Sequence, residues 1–492
     1  MNTPNTHDER KMRLQKLEEL KTAGINPYPA KSHRVQTTKT ALELADGETA
    51  VVAGRIMLKR EMGKICFCHL QDESGKIQIV FKQDDGIDKE SFKLFTKKIE
   101  TADIISVEGE RFETQKGEKS ILVKKWTLLS KALLPLGDKF HGVQDEELRL
   151  RKRYLDMILN PEVREMFKRK AKFWQATRNF LIEEGFLEVE TPVLETTAGG
   201  ASATPFATHH NALDMDVYLR ISMGELWQKR LMVAGFDKTF EIGRQFRNEG
   251  MSREHLQDYS QMEFYWGYAD YTMGMELVER MIKHIAEETW GTLKFIIGEH
   301  GEIDLGQTWK HYDYVETIKE KTGLDIMSAT IEEVKTKLNE LQIKYDKVEA
   351  KSALVDSLWK YCRKSIAGPG FLINVPVLVS PLAKRKEDNP ELTERFQPII
   401  AGSELGNGYS ELNDPIDQAE RFTEQVKMKE AGDTEAQSHD KDFVEALEHG
   451  MPPTCGFGFS ERVFSFLENK PIRECQIFPL MKPVEDDSKK DK

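Results

Sequence analysis

The beginning of the chain carries a helical pattern of apolar positions. Leu14, Leu17 and Leu20 recur at every third residue among charged side chains, and Gly24 follows where a helix would end. This spacing predicts an exposed helix over residues 8–23, followed by a linker that contains prolines.

A β pattern follows, from about residue 50 to residue 131. Short apolar runs are separated by turn residues, and a helical pattern interrupts them at residues 89–98. The runs are residues 51–56, 65–70, 76–81, 103–107 and 120–129. Five strands with one helical interruption predict a small closed barrel of the OB type, although an unrelated five-stranded barrel fits the same pattern.

The rest of the chain mixes longer helical patterns with further strand patterns. A helix is expected to begin at Asn160 and to end at Gly185, and a strand-rich region then extends to about residue 268. Further helices are expected over residues 271–289 and 331–366, and further strands over residues 371–379 and 397–412. Because strands and helices do not alternate regularly, the pattern predicts an α+β fold with a mixed or antiparallel sheet.

These patterns suggest three parts. We expect an N-terminal helix with the barrel over residues 1–145, a larger domain over residues 146–482, and a disordered tail over residues 483–492.

The composition excludes several classes of protein. The 492 residues are 39% hydrophobic and 31% charged with both signs interspersed, which excludes a wholly disordered chain. The sequence has no run of about 18 apolar residues and begins with no apolar signal segment, so we expect no membrane span and a cytoplasmic location.

The five cysteines do not form the pattern of a disulfide framework, and their odd number favours a reducing compartment. Cys66 and Cys68 lack a second pair at zinc-binding spacing, and we expect free thiols.

The net charge of −12 at first argues against a nucleic-acid partner. Residues 1–150 contain 26 Lys and Arg against 24 Asp and Glu, whereas the remaining residues contain 45 against 59. An acidic enzyme body with a less acidic binding module fits this distribution, and so does chance variation.

The first candidate for chemistry is the segment Phe-Arg-Asn-Glu at residues 246–249. On a strand, Arg247 and Glu249 would lie on the same face. The arginine offers a two-pronged donor to phosphate or carboxylate, and the glutamate can accept from an amine. A surface ion pair is the ordinary alternative, but large aromatic residues nearby favour a binding site.

The second candidate is the glycine-rich stretch at residues 402–414. On a strand, Asn407, Tyr409 and Glu411 would share one face, and Glu404 would lie on the other. Glycines allow a ligand to approach closely, and carboxylates in such a strand predict a cation site, for Mg²⁺ or an ammonium group.

The third candidate is residues 456–462, where a glycine-rich strand enters a helix whose first turn carries Arg462. This arrangement can present a guanidinium and a helix N-terminus to an anion. The sequence contains neither GxxxxGK[ST] nor GxGxxG, so arginines would hold a bound nucleotide.

Three segments, in this order, resemble the motifs of class II aminoacyl-tRNA synthetases. Motif 1 resembles residues 185–194, motif 2 residues 246–249, and motif 3 the segment around Arg462. Within that class the chain resembles the lysyl-tRNA synthetases over nearly its whole length. The matching segments are residues 53–56, 62–64, 139–142, 153–156, 208–216, 263–265, the Glu404 strand and 450–454.

The resemblance implies an antiparallel catalytic sheet with flanking helices, an N-terminal OB-fold that reads the anticodon, and a homodimer. It implies that lysine and ATP give lysyl-adenylate and pyrophosphate with Mg²⁺, and that the lysyl group then passes to the tRNA. The implied catalytic residues are Arg247, Glu249, His255 and Arg462. The implied lysine-binding residues are Gly200, Glu225, Glu263, Tyr265, Asn407, Tyr409 and Glu411. The implied ATP-binding residues are Arg247, Glu249, His255, Tyr259, Glu404 and Arg462, with Tyr259 stacked on adenine. The implied metal ligands are Glu404 and Gln397, and the implied anticodon contacts are Arg60, Phe67, Gln78 and Glu118.

The sequence departs from the family pattern at several positions. Gln397 stands where the family has a glutamate, which makes one expected Mg²⁺ ligand neutral. One extra residue lies between Arg220 and Glu225, and motif 3 is one residue short before Arg462. These departures concern the number of metal ions and the shape of the pocket.

Four alternatives to a lysine–tRNA ligase stay open at this point. A ligase for aspartate would need a cationic pocket, whereas the implied pocket carries three glutamates. An asparagine ligase is a further possibility within the class. A paralogue that transfers lysine to a protein would lack the N-terminal barrel. A non-catalytic RNA-binding protein would not need Arg247, Glu249, Glu404 and Arg462.

Overall fold

The computed structural model describes residues 6–136, 145–197, 199–201, 203–345, 350–380, 383–430 and 440–483. The chain divides into two compact units, Met1–Leu159 and Asn160–Lys492. The matching segment at residues 139–142 and the tail beyond residue 483 lie outside the described residues.

The first unit contains a closed five-stranded barrel. Its helices and strands are α1 (Thr6–Thr22), α2 (Thr38–Ala41), β1 (Thr49–Met62), β2 (Ile65–Gln71), β3 (Lys76–Lys82), α3 (Lys89–Lys98), β4 (Ile104–Glu113), β5 (Lys119–Ser130), α4 (Glu146–Arg151) and α5 (Arg153–Leu159). The strands close in the order β1-β2-β3-β5-β4, and β4 pairs with β1. The predicted barrel is therefore confirmed, and the helix at residues 89–98 lies where the pattern placed it.

Alternation along the strands fills the barrel. On β2, Cys66, Cys68 and Leu70 are buried, while the residues between them are half-buried. Helix α3 adds Phe95, whose ring stacks on Phe81 with the centroids 3.7 Å apart. All five cysteines of the chain are free and buried, and the free thiols predicted for Cys66 and Cys68 are among them.

The second unit is built on a mostly antiparallel sheet. Its helices and strands are α6 (Pro161–Glu183), β6 (Leu187–Glu188), β7 (Leu194–Glu195), β8 (Ala207–His210), β9 (Met215–Leu219), α7 (Glu225–Val233), β10 (Lys238–Phe246), β11 (Asp258–Gly267), α8 (Tyr271–Trp290), β12 (Lys294–Ile296), β13 (Glu302–Asp304), β14 (Lys310–Asp313), α9 (Tyr314–Thr322), α10 (Ile331–Glu340), α11 (Lys351–Arg363), β15 (Gly370–Ile373), β16 (Arg395–Ile400), β17 (Ser403–Glu404), β18 (Asn407–Ser410), α12 (Pro415–Glu430), α13 (Lys441–Glu448), β19 (Thr454–Ser460) and α14 (Arg462–Leu467).

The large sheet has the order β14-β15-β16-β18-β19-β11-β10-β6, with β17 beside β16. Its parallel pairs are β14 with β15 and β6 with β10. Helices α6 and α8 bury their apolar sides in one core with sheet residues such as Phe240, Phe264 and Phe457. Because neighbouring residues on a strand point to opposite faces, Glu263 and Tyr265 project away from this core.

The structure corrects several predicted elements. The strand expected over residues 371–379 ends at Ile373, because the next residue, Asn374, has positive φ, and a short 3₁₀ turn follows at Val377–Val379. The strand expected over residues 397–412 is broken at Ala401 and Gly402, which both have positive φ. Residues 331–366, expected to be mostly helical, contain the two helices α10 and α11.

Among the described residues, no helix has the length and apolar character that crossing a membrane requires.

Candidate active site

One cavity of about 440 Å³ gathers almost all of the implied catalytic and substrate-binding residues. It lies against β11, β18 and β19 and is bordered by α7 and by the loop between β10 and β11. The implied residues that line it are Gly200, Glu225, Arg247, His255, Tyr259, Glu263, Tyr265, Gln397, Glu404, Asn407, Tyr409, Glu411 and Arg462. Glu249 does not line this cavity.

Glycines on the central strand make room for the functional side chains. Gly458 pairs with Glu263 on β11 and with Asn407 on β18. A Cβ at Gly458 would lie 2.7 Å from Cγ of Glu263, and one at Gly456 would lie 2.1 Å from Oε1 of Glu411. The glycines therefore leave the space that these carboxylates occupy.

Three carboxylates, from Glu225, Glu263 and Glu411, meet at one end of the cavity. Glu225 begins helix α7 and accepts a hydrogen bond of 2.8 Å from the Tyr409 hydroxyl. Glu263 accepts hydrogen bonds from the Met223 N–H at 3.1 Å and from the Gln261 side chain at 2.6 Å. Two of the three carboxylates thus have hydrogen-bond donors that fix their positions.

Lys229 pairs with two of these carboxylates. Its Nζ lies 2.7 Å from Oε1 of Glu225 and 2.6 Å from Oε2 of Glu411, and its side chain is 2% exposed. Burial alone would lower the pKa of Lys229, but the two carboxylates raise it above its usual value. The ammonium of Lys229 is therefore charged at neutral pH.

Burial also changes the carboxylates themselves. Desolvation, and then the charge of Glu225, raises the pKa of Glu263 to about 7. Desolvation raises the pKa of Glu411 as well, against the opposing effect of Lys229. A group that brings a positive charge into this end of the cavity would lower both pKa values, and this end is suited to an ammonium ion.

The other end of the cavity carries arginines. Nη2 of Arg462 donates to the Ser403 hydroxyl at 2.7 Å and forms an ion pair with Glu254. Arg247 is half-buried and donates through Nε to the Ile221 carbonyl at 3.3 Å. Burial, and then Arg462, lowers the pKa of His255, which favours its neutral form. This end of the cavity can bind an anion.

The structure corrects the predicted geometry of residues 246–249. Strand β10 ends at Phe246, and the N–H of Glu249 bonds the Arg247 carbonyl at 2.9 Å in a tight turn. Arg247 and Glu249 therefore do not share a strand face, and Glu249 is exposed. Further up the strand, Glu241 is buried in an ion pair with Arg220, outside the cavity.

Glu404 and Gln397 both line the cavity, but they supply only two side-chain ligands for a metal ion. One oxygen of Glu404 accepts a hydrogen bond from the Trp359 indole. Among the described residues, no group of three or more His, Cys, Asp or Glu side chains is placed to hold a metal ion. Two oxygen donors beside an anion site fit a Mg²⁺ ion whose remaining ligands would include oxygen atoms of nucleotide phosphates.

The implied anticodon residues form one surface on the barrel. Phe67 on β2 is half-buried and pairs with Arg60 on β1, which is exposed. Gln78 on β3 donates to Glu118 at 2.7 Å, and His69 Nε2 lies 3.3 Å from Glu118. An aromatic face beside several hydrogen-bonding groups is suited to a single-stranded base.

Three charged residues in or directly behind the wall of the cavity were not identified from the sequence. Lys229 lies four residues after Glu225 on α7, so the spacing of a helical ion pair could have indicated it. Arg395 lines the cavity and donates to Asn407 at 2.7 Å. Glu254 lines it too, but nothing in its local sequence indicates that it pairs with Arg462.

Comparison with known proteins gives the family. A family model described as tRNA synthetases class II (D, K and N) matches residues 145–482, and one described as OB-fold nucleic acid binding domain matches residues 50–129. The chain is 43% identical to a lysine–tRNA ligase of Thermotoga maritima over 96% of both chains. It is 45% identical to that of Pelotomaculum thermopropionicum over 96% of this chain and 95% of the relative. It is 43% identical to that of Christiangramia forsetii over 97% of this chain and 86% of the relative. The resemblance inferred from the motifs is confirmed: the chain belongs to the class II tRNA synthetases, and within them to the lysine–tRNA ligases.

Proposed function

We propose that the chain joins L-lysine to its tRNA in two steps, both in the cavity against β11, β18 and β19. Lysine and ATP form lysyl-adenylate and pyrophosphate, and the lysyl group then passes to the 3′ end of the tRNA, which releases AMP. The observation that carries this proposal is the cavity itself, with carboxylates at one end and arginines at the other.

The three glutamates select the side chain of the amino acid. A lysine side chain ends in an ammonium group, which needs acceptors when it leaves water. Glu225, Glu263 and Glu411 supply them, with Tyr265 and Tyr409 along the side. A carboxylate side chain would meet negative charge there, which argues against aspartate, and a neutral amide would leave that charge uncompensated, which argues against asparagine.

The arginines stabilise the phosphates of ATP. The lysine carboxylate is already ionised and serves as the nucleophile, so the step needs no general base. Arg247 is assigned to the α-phosphate, which gains negative charge as the carboxylate attacks. Arg462 is assigned to the leaving pyrophosphate, with His255 beside it. Catalysis is then positioning together with electrostatic stabilisation. Tyr259 is assigned to the adenine ring, and Asn407 and Gly200 to the bound lysine.

Glu404 and Gln397 are assigned to Mg²⁺, which would neutralise charge on the phosphates when it binds with ATP. Glu249 is exposed and takes part only if the turn that follows β10 moves when ATP binds.

The barrel is assigned to the anticodon, with Phe67 stacked on a base and Arg60, Gln78 and Glu118 contacting base edges. Its presence also argues against a paralogue that transfers lysine to a protein.

A homodimer through motif 1 completes the proposal. Ile182, Leu187, Val193 and Leu194 are between 42% and 52% exposed, which is unusual for neighbouring aliphatic residues and fits a subunit interface. Light scattering should give twice the chain mass of 56.6 kDa, and Leu194→Asp should shift the protein toward a monomer. As an enzyme of translation with free cysteines, it is expected in the cytoplasm.

The test of the function is ATP–pyrophosphate exchange with each of the twenty amino acids in turn. Lysine should drive exchange, and aspartate and asparagine should not. Faster exchange with another amino acid at equal concentration would refute the assigned specificity, and no exchange with any of them would favour a non-catalytic role.

A further inference from the structure

The buried ammonium of Lys229 lies behind the carboxylates that line the cavity. Glu225 and Glu411 line it, and Lys229 does not. Lys229 contacts Oε1 of Glu225 and Oε2 of Glu411. The other oxygen of Glu411, Oε1, lies over Gly456, which lines the cavity. One oxygen of Glu411 is thus paired with Lys229, and the other lies against Gly456 in the wall of the cavity.

The surroundings of Lys229 keep it in this place. Its Nζ lies 5.6 Å from the ring centroid of Tyr409 and 5.9 Å from that of Phe443 on α13. With a side chain 2% exposed and aromatic rings around it, the ammonium cannot exchange its carboxylate partners for water. Lys229 is therefore a fixed part of the pocket.

The positive charge of Lys229 offsets part of the negative charge of the three glutamates, which is a role beyond packing. Without it, three buried carboxylates would lie together, and their mutual repulsion would favour protonation of one or more of them. A protonated carboxyl group is a poor partner for an ammonium ion. With Lys229 in place, one of the three negative charges is compensated and the carboxylates stay oriented toward the cavity.

We propose that Lys229 is a positioning residue for lysine specificity: it holds Glu225 and Glu411 in place and compensates one of their negative charges, so that the pocket can accept one substrate ammonium. This inference rests on the assignment of Glu225, Glu263 and Glu411 to the lysine side chain.

Several other titratable and charged groups lie around these carboxylates. They are Glu263 and Tyr265 on β11, Tyr409 on β18, Cys455 on β19, and the ion pair of Arg230 on α7 with Asp440 beside α13. The pKa of Glu263 is raised to about 7 and that of Glu411 itself to about 8, both mainly by desolvation. A pH profile of lysine binding therefore reports on the ionisation of the carboxylate cluster.

The test compares Lys229→Met with the unaltered enzyme in ATP–pyrophosphate exchange between pH 6 and pH 9. We expect the KM for lysine to rise at least about tenfold at pH 7.5, while the KM for ATP changes less than about threefold. In the unaltered enzyme we expect the KM for lysine to fall as the pH rises and then to become constant. In Lys229→Met the pH at which it becomes constant should be higher by about one unit, because the carboxylates lose their internal partner. Lys229→Gln, which can still donate hydrogen bonds but has no charge, should show the same shift.

Two controls separate this role from others. Lys131 in the barrel is also fully buried between two carboxylates, with Nζ 2.8 Å from Glu100 and 2.8 Å from Asp103. Lys131→Met should lower the melting temperature and leave the KM for lysine unchanged. Glu263→Gln tests the pocket itself and should raise the KM for lysine.

The outcomes are distinct. An unchanged lysine KM and pH profile in both Lys229 variants, with Glu263→Gln impaired, would overturn the role of Lys229 alone. An unchanged KM in Glu263→Gln as well would overturn the lysine pocket and this inference with it. Equal increases in the KM values for lysine and ATP, or failure of both Lys229 variants to fold, would show a purely structural role and overturn the proposal.

Discussion

Replacing Gly456 by alanine should damage lysine binding and leave ATP binding nearly intact. The added Cβ would lie 2.1 Å from Oε1 of Glu411 and 2.8 Å from the nearest ring carbon of Tyr265. Carbon and oxygen atoms that are not bonded do not approach so closely, so the glutamate has to move. It cannot move freely, because Lys229 holds its other oxygen at 2.6 Å.

The size of the effect follows from the overpacking of a close-packed site. Inserting one methyl group where there is no room costs about 1–3 kcal/mol. If the strain is relieved by displacing Glu411 from the ligand position, that cost appears as a rise of about 5- to 150-fold in the KM for lysine. Part of the strain can instead lower the stability of the folded protein, so the melting temperature has to be measured in parallel.

The assay is ATP–pyrophosphate exchange with lysine or ATP varied in turn. Gly75→Ala in the barrel is the matched control, because the nearest atom to its added Cβ is the Thr38 hydroxyl at 3.7 Å. A lysine KM within twofold of the unaltered enzyme, in a Gly456→Ala protein of normal stability, would falsify the position given to Glu411.

Three further predictions test other parts of the molecule. The KM for lysine should fall as the pH rises through about 7 and then level off, because the pKa of Glu263 is raised to about 7 and only its ionised form pairs with an ammonium. A KM that stays constant from pH 6 to pH 8 would contradict this. Phe67→Ala should weaken tRNA binding by about 1–3 kcal/mol in a filter-binding assay and leave pyrophosphate exchange unchanged, whereas equal tRNA affinity would exclude base stacking. Gln397→Glu should lower the free Mg²⁺ concentration needed for half-maximal activity, because a carboxylate replaces a neutral amide, and it should leave the KM for lysine unchanged. If the Mg²⁺ titrations of the variant and the unaltered enzyme superimpose, residue 397 does not lie at the metal.

The barrel could be predicted from the sequence because its signal is local. Alternation such as that of Cys66, Cys68 and Leu70 fixes which face of a strand is buried, and Asp88 marks the start of α3. The large sheet was harder to predict, because its strands pair across long stretches of chain. Ala401 with positive φ interrupts a stretch that carries a continuous strand pattern, and nothing in its side chain indicates the break.

The cavity residues could be named only through the family motifs, and their geometry came from tertiary contacts. Arg247 and Glu249 look like strand neighbours in the sequence, but the strand ends one residue before Arg247. In the sequence, Lys229 resembles an ordinary surface lysine in an i, i+4 pair with Glu225, and only the fold brings Glu411, from just after β18, into contact with it. Burial changes such a pair from a weak surface contact into part of a binding site. Because burial depends on the whole fold, it cannot be predicted from either residue alone.

Because Glu263 is buried, we expect the binding of lysine to affect the stability of the folded protein in a way that depends on pH. A carboxyl group whose pKa is raised by folding destabilises the folded state as the pH rises from its unfolded pKa toward its folded one. For Glu263, the rise from 4.5 to about 7 corresponds to about 3 kcal/mol once the group is ionised. An ammonium bound beside it opposes the shift by its positive charge and recovers part of that free energy. Lysine should therefore raise the melting temperature more at pH 8, where Glu263 of the free protein is ionised, than at pH 6, where the substrate must first displace a proton.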